Sequence, residues 1–158
     1  MKYLFLTLIL CCAAGLSAAQ MKVVDGDSLE DGERRIRLDG IDAPELIQTC
    51  FTASGEEYAC GKEARNFIAE FVADNDINCD CLPQKDRYGR ELCECFVGDQ
   101  SLNEALIEAG WAMSYRDTKY DKRQDEAEAA RRGIWQGKFM RPALFRALER
   151  ANEQQKTD

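Results

Sequence analysis

The sequence predicts a small closed β-sheet with helices packed against it and disulfides bracing it. Three observations carry that fold class. Strand patterns come before helix patterns in a chain of 158 residues, which by size is one domain or one domain with a decorated terminus. Turn residues punctuate the strands at short intervals, as in small closed sheets. Six of the eight cysteines follow a leader-like N-terminus, and an even number in that setting reads as disulfides.

The leader is M-K-Y-L-F-L-T-L-I-L-C-C-A-A-G-L-S-A-A-Q, one lysine, an apolar run and then small residues ending S-A-A. This is the layout of a secretory signal peptide over residues 1–19, with cleavage after Ala19. The apolar run is short for a membrane span of ~30 Å. A lipoprotein anchored at Cys12 is the other alternative, against which stand the bulky residues before that cysteine. The expected location is therefore secreted or periplasmic, as a monomer with no stable membrane partner after cleavage. Without the leader, 20 basic residues face 29 acidic ones and the net charge is −9. That balance disfavours a polyanion held by long-range attraction, so nucleic-acid binding would rest on a local cluster of arginines. A bound divalent cation would offset part of the negative charge.

Each element follows in order. M-K-V-V-D-G-D-S-L is a short strand running into a polar stretch. The D-G pair at Asp31–Gly32 opens a hairpin whose return arm is R-R-I-R-L-D-G-I, and Pro44 stops the arm because it has no donor for the ladder. After a loop closed by Cys50 and Cys60, residues 61–74 carry Ala64, Phe67, Ile68, Phe71 and Val72 on one helical face. Two strands joined by a turn-rich loop span residues 77–97. Helices follow around Leu102–Ala109 and Lys122–Arg132, the second stopped by Gly133. Residues 142–158 form a C-terminal helix, to about Ala151, and a fraying tail. Trp111 and Trp135 are expected to pack in the core or between helices.

Residues two apart on a strand share a face, so Cys79 pairs in direction with Cys81, and Cys93 with Cys95. With the hairpin centred near Arg87, Cys79 lies opposite Cys95 and Cys81 opposite Cys93, at the ~4.5 Å of a non-hydrogen-bonded pair. Two neighbouring bridges on one face are unusual. The favoured set is Cys50–Cys60, Cys79–Cys95 and Cys81–Cys93; the rival is a thiolate zinc site built from C-D-C and C-E-C, whose spacing is C-x-C rather than C-x2-C.

Chemistry must come from carboxylates and guanidiniums, because the chain has no histidine. Asp25 and Asp27 follow one strand, and Asp42 and Glu45 sit at the exit of another. Singly, each pair is an ordinary solvated turn. Together they offer three to four oxygen donors to a hard cation such as Ca2+, whereas zinc or iron would more often recruit histidine. Arg37 shares a strand with Asp42, and a guanidinium offers a two-pronged clamp for phosphate. Acids, arginines and a calcium-like site make sense around a phosphodiester, with a carboxylate deprotonating or orienting water in place of histidine.

Four motifs, V-V-D-G-D-S, R-L-D-G-I-D-A-P-E, D-R-Y-G-R and the final G-I-W, resemble in order the staphylococcal nuclease (thermonuclease) family over residues 23–135. The resemblance implies a small β-barrel of the OB type with three packed helices, here disulfide-braced, as a nuclease domain over residues 20–141. It implies Ca2+-dependent hydrolysis of DNA and RNA. Asp27, Asp42 and the backbone carbonyl of Ala43 match the metal ligands. Arg37 and Arg90 match the phosphate-clamping arginines, and Glu45 the acid that holds the attacking water. Arg87, Tyr88 and Tyr115 match positions that contact outer phosphates or the nucleotide. The chain departs from the prototype in its very short first strand, in Ser28 and Ala43 where threonine is usual, in its cysteines and in its acidity. A catalytically inactive barrel that binds nucleic acid or protein, and a calcium-stabilised structural module, are the other readings. The first would normally lack one of the five matched acids and arginines, and the second has no need of Arg37, Glu45 and Arg90.

Overall fold

A computed structural model describes residues 21–73, 75–116 and 118–157. The leader over residues 1–19 lies outside the described residues. Strands β1 (Lys22–Val23), β2 (Ser28–Asp31) and β3 (Arg34–Leu38) form an antiparallel meander. The β2–β3 link is a two-residue loop in which Gly32 has a φ of 59°, the left-handed conformation such loops require. Next come β4 (Ile41–Asp42), the short hairpin of β5 (Cys50–Phe51) and β6 (Glu57–Tyr58), and α1 (Cys60–Val72). Strands β7 (Ile77–Lys85) and β8 (Glu91–Val97) follow, then β9 (Gln100–Ser101), α2 (Leu102–Glu108), β10 (Met113–Ser114) and α3 (Asp121–Ala129). A 3-10 turn over Gly133–Gln136 leads to α4 (Pro142–Thr157).

The main sheet has the order β1-β2-β3-β8-β7, with β9 also on β8. Its one parallel contact is β3 with β8, registering Ile36 with Glu91 and Leu38 with Cys93. Two expectations are corrected here. Among the described residues the sheet is open, since β1 pairs only with β2 and β7 only with β8. The physical reason is length: β1 has two residues, too few to hold both a neighbour and a closing partner. Among the described residues there are four α-helices, the three packed ones and the expected C-terminal helix, and the last runs to Thr157, past the expected stop near Ala151.

The expected apolar face of α1 is the one that faces inward. Ala64, Ile68 and Val72 are buried, with Phe67 and Phe71 packed beside them. They meet Leu29, Ile36, Leu38 and Ile41 from the strands and Leu102, Leu106 and Ile107 from α2. The buried Asn103 side chain pins α2 to the sheet, donating to the carbonyls of Asp39 (2.9 Å) and Cys93 (3.2 Å) and accepting from Cys95 N–H (3.2 Å). A second cluster joins the Cys50–Cys60 bridge to Met113 and Ile134, with Trp111 and Trp135 partly buried against it.

The cysteine pairing has the register read from the sequence, Cys79 opposite Cys95 and Cys81 opposite Cys93, each with Cα atoms 4.0 Å apart. With Cys50–Cys60 this places all six cysteines of the described residues in disulfides and leaves none of these six as a thiolate for zinc. The ladder shifts register between Cys81 and Lys85, so the doubly bridged segment ends where the loop carrying Arg87 and Arg90 begins.

Candidate active site

The adjoining ends of β2, β3, β4 and β8 converge on one cluster of carboxylates and guanidiniums. Asp27 immediately precedes β2, and Ser28 lies opposite Arg37 in the hairpin register. Asp42 stands on β4, which is held by β10 through the pairing of Asp42 with Met113. Arg90 enters from the start of β8, brought alongside by the parallel β3–β8 contact. Neighbouring strands thus bring together residues separated by more than sixty positions.

Arg37 is the centre. Its Nη1 contacts Asp27 Oδ2, and its Nη2 donates to Asp42 Oδ1 (3.2 Å) and to the Ile41 carbonyl (3.1 Å). All three side chains are buried, at 11%, 8% and 5% exposure for Arg37, Asp27 and Asp42, so this is a desolvated triad rather than a surface ion pair. Burial draws the guanidinium's pKa down, the two carboxylates more than reverse that, and the net shift is upward. Asp27 also accepts from Ser28 Oγ (3.1 Å) and from the backbone N–H of Ala43 (2.9 Å). Ala43 therefore touches the site through its main chain, and its methyl side chain leaves room.

Room is a requirement here. A Cβ on Gly26 would stand 2.7 Å from Ala43 Cβ and 2.9 Å from Ala64 Cβ, so the glycine between Asp25 and Asp27 lets the D-G-D turn lie flat on α1. Gly61 does the same in the first turn of α1, where a Cβ would fall 1.8 Å from the carbonyl oxygen of Glu45. The loop carrying Glu45 rests on the first turn of α1. It is closed by the buried Gln48, whose N–H donates to the Glu45 carbonyl (2.7 Å) and whose Oε1 accepts from Glu45 N–H (3.3 Å).

Arg90 sits farther toward solvent, at 27% exposure. Asp86 aligns it, accepting at Oδ2 from Nε (2.8 Å) and Nη2 (2.8 Å), while Nη1 reaches Ser28 Oγ at 3.4 Å. Burial pushes the Asp86 carboxyl up, but hydrogen bonds from Arg90 and from the Tyr88 N–H outweigh it and the net pKa is lowered. Beyond Arg90 the hairpin tip is exposed. Tyr88 is 54% exposed, its ring 4.7 Å from the Arg87 guanidinium and 5.5 Å from that of Arg90. Arg35 donates to the Tyr88 carbonyl, adding a third arginine to the tip. Tyr115 follows the strand that pairs with β4: its N–H donates to the Gly40 carbonyl (2.9 Å) and its half-buried ring lies under Arg116 (4.9 Å).

Two further members complete the cluster: Asp25, which the sequence offers only as one of several oxygen donors, and Arg146, which it does not single out. Asp25 is half-buried beside Asp27, and burial, then the Asp27 charge, push its pKa up to about 7. Arg146 comes from α4: Nη1 lies 2.9 Å from Asp42 Oδ1 and 2.8 Å from Glu45 Oε1, and Nη2 lies 3.2 Å from Asp42 Oδ2. Burial lowers its pKa and these two carboxylates raise it by more, for a net upward shift. No local signal marks Arg146, because its partners lie 101 and 104 positions earlier. Asp86 did lie inside a quoted motif, and the D-x-x-x-R spacing is the signal that finds it.

The model of the staphylococcal nuclease homologue family matches residues 35–137. The chain belongs to that family. Among the proteins it is similar to are the succinoglycan biosynthesis protein ExoI of Rhizobium meliloti, 38% identical over 122 residues, and the thermonuclease of Staphylococcus hyicus, 32% identical over 141. The first alignment covers 73% of this chain and 63% of the Rhizobium protein; the second covers 78% and 81%. A probable endonuclease, LCL3 of Schizophyllum commune, is 26% identical over 127 residues, covering 68% of this chain and 42% of that protein. The matched region of the nuclease homologue family takes in Arg37, Asp42, Glu45 and Arg90, and ends before α4.

Proposed function

We propose that the protein is an exported, Ca2+-dependent nuclease that hydrolyses phosphodiester bonds of DNA and RNA, acting as a monomer. The observation that carries this reading is the buried Asp27–Arg37–Asp42 triad, joined to Glu45 on one side and through Ser28 to Arg90 on the other. Membership of the staphylococcal nuclease homologue family and the likeness to a thermonuclease support it.

The donor set fits a hard divalent cation. Asp25, Asp27, Asp42 and Glu45 bring four carboxyl groups to a site with two guanidiniums, Arg37 and Arg146, in direct contact. Every candidate donor is oxygen, which suits calcium and not zinc. Asp27, Asp42 and the Ala43 carbonyl would hold the ion, and bound calcium would neutralise charge developing on the phosphoryl oxygens.

The chain's own groups do the rest. Glu45 orients water and takes its proton as the oxygen attacks phosphorus in line. The bond from phosphorus to the 5′ oxygen breaks, and the leaving oxygen takes a proton from solvent. Arg37 and Arg90 face the phosphoryl oxygens, and both gain interaction as negative charge accumulates there. Asp86 holds the Arg90 fork in one plane, so little ordering remains for substrate to impose. At the hairpin tip, Arg35 and Arg87 supply local positive charge in a chain of net charge −8. The exposed Tyr88 ring offers a stacking face for a base. Nicking of plasmid DNA by the mature protein tests the reading: cleavage is expected with CaCl2 and not with EDTA or ZnCl2. Cleavage that persists in EDTA, or that zinc alone restores, would remove this mechanism.

A further inference from the structure

We propose that Arg146 is a built-in counter-cation for the metal site, holding Asp42 and Glu45 until a divalent cation takes them and thereby coupling metal binding to release of α4. The proposal rests on the calcium reading above. Its first support is the use of lone pairs. Asp42 Oδ2 accepts from Arg146 Nη2 at 3.2 Å, Oδ1 is ion-paired with Arg146 Nη1 at 2.9 Å, and Oδ1 also accepts from Arg37 at 3.2 Å. Glu45 Oε1 is engaged at 2.8 Å by the same Nη1. A cation that uses Asp42 meets the charge of both guanidiniums at these oxygens, and Arg146, at 28% side-chain exposure against 11% for Arg37, is the one that can leave toward solvent.

The second support is the way α4 is attached. Pro142 at its start is buried, while Phe145, Arg146 and Glu149 are only half-buried. Its leucines face outward, Leu144 at 53% and Leu148 at 44% exposure. An amphipathic helix normally docks by burying that kind of side chain. Here the ion pairs of Arg146 supply what apolar burial does not. The base of the helix is fixed independently. Gln48 Nε2 donates to the Met140 carbonyl at 2.7 Å, and Phe51 and Lys138 exchange backbone hydrogen bonds of 2.8 and 3.0 Å. Release of Arg146 would therefore swing the helix about residues 140–142 without freeing the segment before it. Tethering also keeps the guanidinium at high effective concentration beside the carboxylates, so it competes with calcium at any protein dilution.

Competition of this kind is reciprocal: whatever factor Arg146 imposes on calcium, calcium imposes on helix docking. The experiment measures calcium affinity by titration calorimetry, and backbone amide exchange in α4, in the full mature chain. Arg146→Ala and Arg146→Gln should bind calcium about tenfold more tightly than the parent, about 1.4 kcal/mol. Arg150→Ala removes the same charge from an exposed position one turn on and should bind within about twofold of the parent. In the parent, calcium should accelerate exchange over 143–157, because an undocked helix of this length is marginal in water. Equal or weaker binding by both Arg146 variants overturns the proposal, as does Arg150→Ala tightening by the same factor or exchange in α4 that ignores calcium. Binding by neither parent nor variants is a different result: it removes the calcium reading itself, and the proposal with it.

Discussion

Replacing Arg37 with glutamine in metal-free protein leaves Asp27 and Asp42 buried with one shared cation gone. Removal of one partner from a buried ion pair costs ~3–5 kcal/mol, most of it the uncompensated charge left behind. The structure sets where in that range the loss should fall. Asp42 keeps Arg146 at 2.9 and 3.2 Å, and Asp27 keeps Ser28 Oγ at 3.1 Å and Ala43 N–H at 2.9 Å. The glutamine amide can donate to one carboxylate as well. Those remaining donors place the loss near the lower end, at ~3 kcal/mol, which for a domain of this size is a melting temperature about 10 °C lower. Urea unfolding in EDTA, followed by fluorescence of Trp111 and Trp135, reads it directly. The midpoint should fall with the slope unchanged, because the surface exposed on unfolding is the same. Calcium should then stabilise the variant more than the parent, since it binds the folded carboxylates that glutamine leaves short of charge. A loss within ~0.5 kcal/mol would refute the reasoning, being the value for a solvated surface residue.

The remaining expectations concern neighbouring parts of the same network. Glu45→Gln and Arg90→Lys should each slow single-turnover cleavage of a short DNA by roughly 100-fold or more at saturating calcium, about 3 kcal/mol of transition-state stabilisation; folded variants that cleave at the parent rate would mean the site is elsewhere. Gly26→Ala forces a Cβ to 2.7 and 2.9 Å from the Ala43 and Ala64 methyls, so it should destabilise by ~1–3 kcal/mol in a thermal melt and weaken calcium binding. An unchanged melt would show that the turn can shift freely. Tyr120, 1% exposed, donates to Glu94 Oε1 at 3.2 Å, and burial, then the Glu94 charge, push its pKa up to about 12. Because the unfolded phenol ionises first, near pH 10, this contribution is complete below that pH and is lost as pH rises toward 12, by roughly 2 kcal/mol. Unfolding midpoints across that window should fall for the parent and less for Tyr120→Phe; parallel curves would contradict the assignment.

How much of this was legible in the sequence depends on the range over which each cause acts. The bridges Cys79–Cys95 and Cys81–Cys93 follow from strand periodicity and a hairpin centre, both local, and the structure has that register. The family motifs place Asp27, Arg37, Asp42, Glu45 and Arg90 at adjoining strand ends, because each motif includes the turn or strand that positions its residue. Sheet closure was not legible, since it depends on a strand of two residues. Arg146 was out of reach for another reason. On the sequence it is one basic residue on a polar helix, and only the way residues 137–142 lace back to Phe51 and Gln48 turns it toward Asp42. The buried Gln48 is similar: a glutamine followed by Thr49 and Cys50 carries no mark of its three contacts.

The central claim is that calcium and this cluster of carboxylates act together on a phosphodiester. Cleavage of a short DNA by the parent and by Asp42→Asn, titrated with calcium and with folding checked by circular dichroism, tests it most directly. Asp42 is 3% exposed and touches both Arg37 and Arg146, so its amide changes charge with almost no change of shape. The parent should cleave with saturable calcium dependence, and the folded variant should lose at least ~100-fold in rate with a weakened calcium midpoint. A folded Asp42→Asn protein that cleaves with the parent's rate and calcium midpoint would contradict the account.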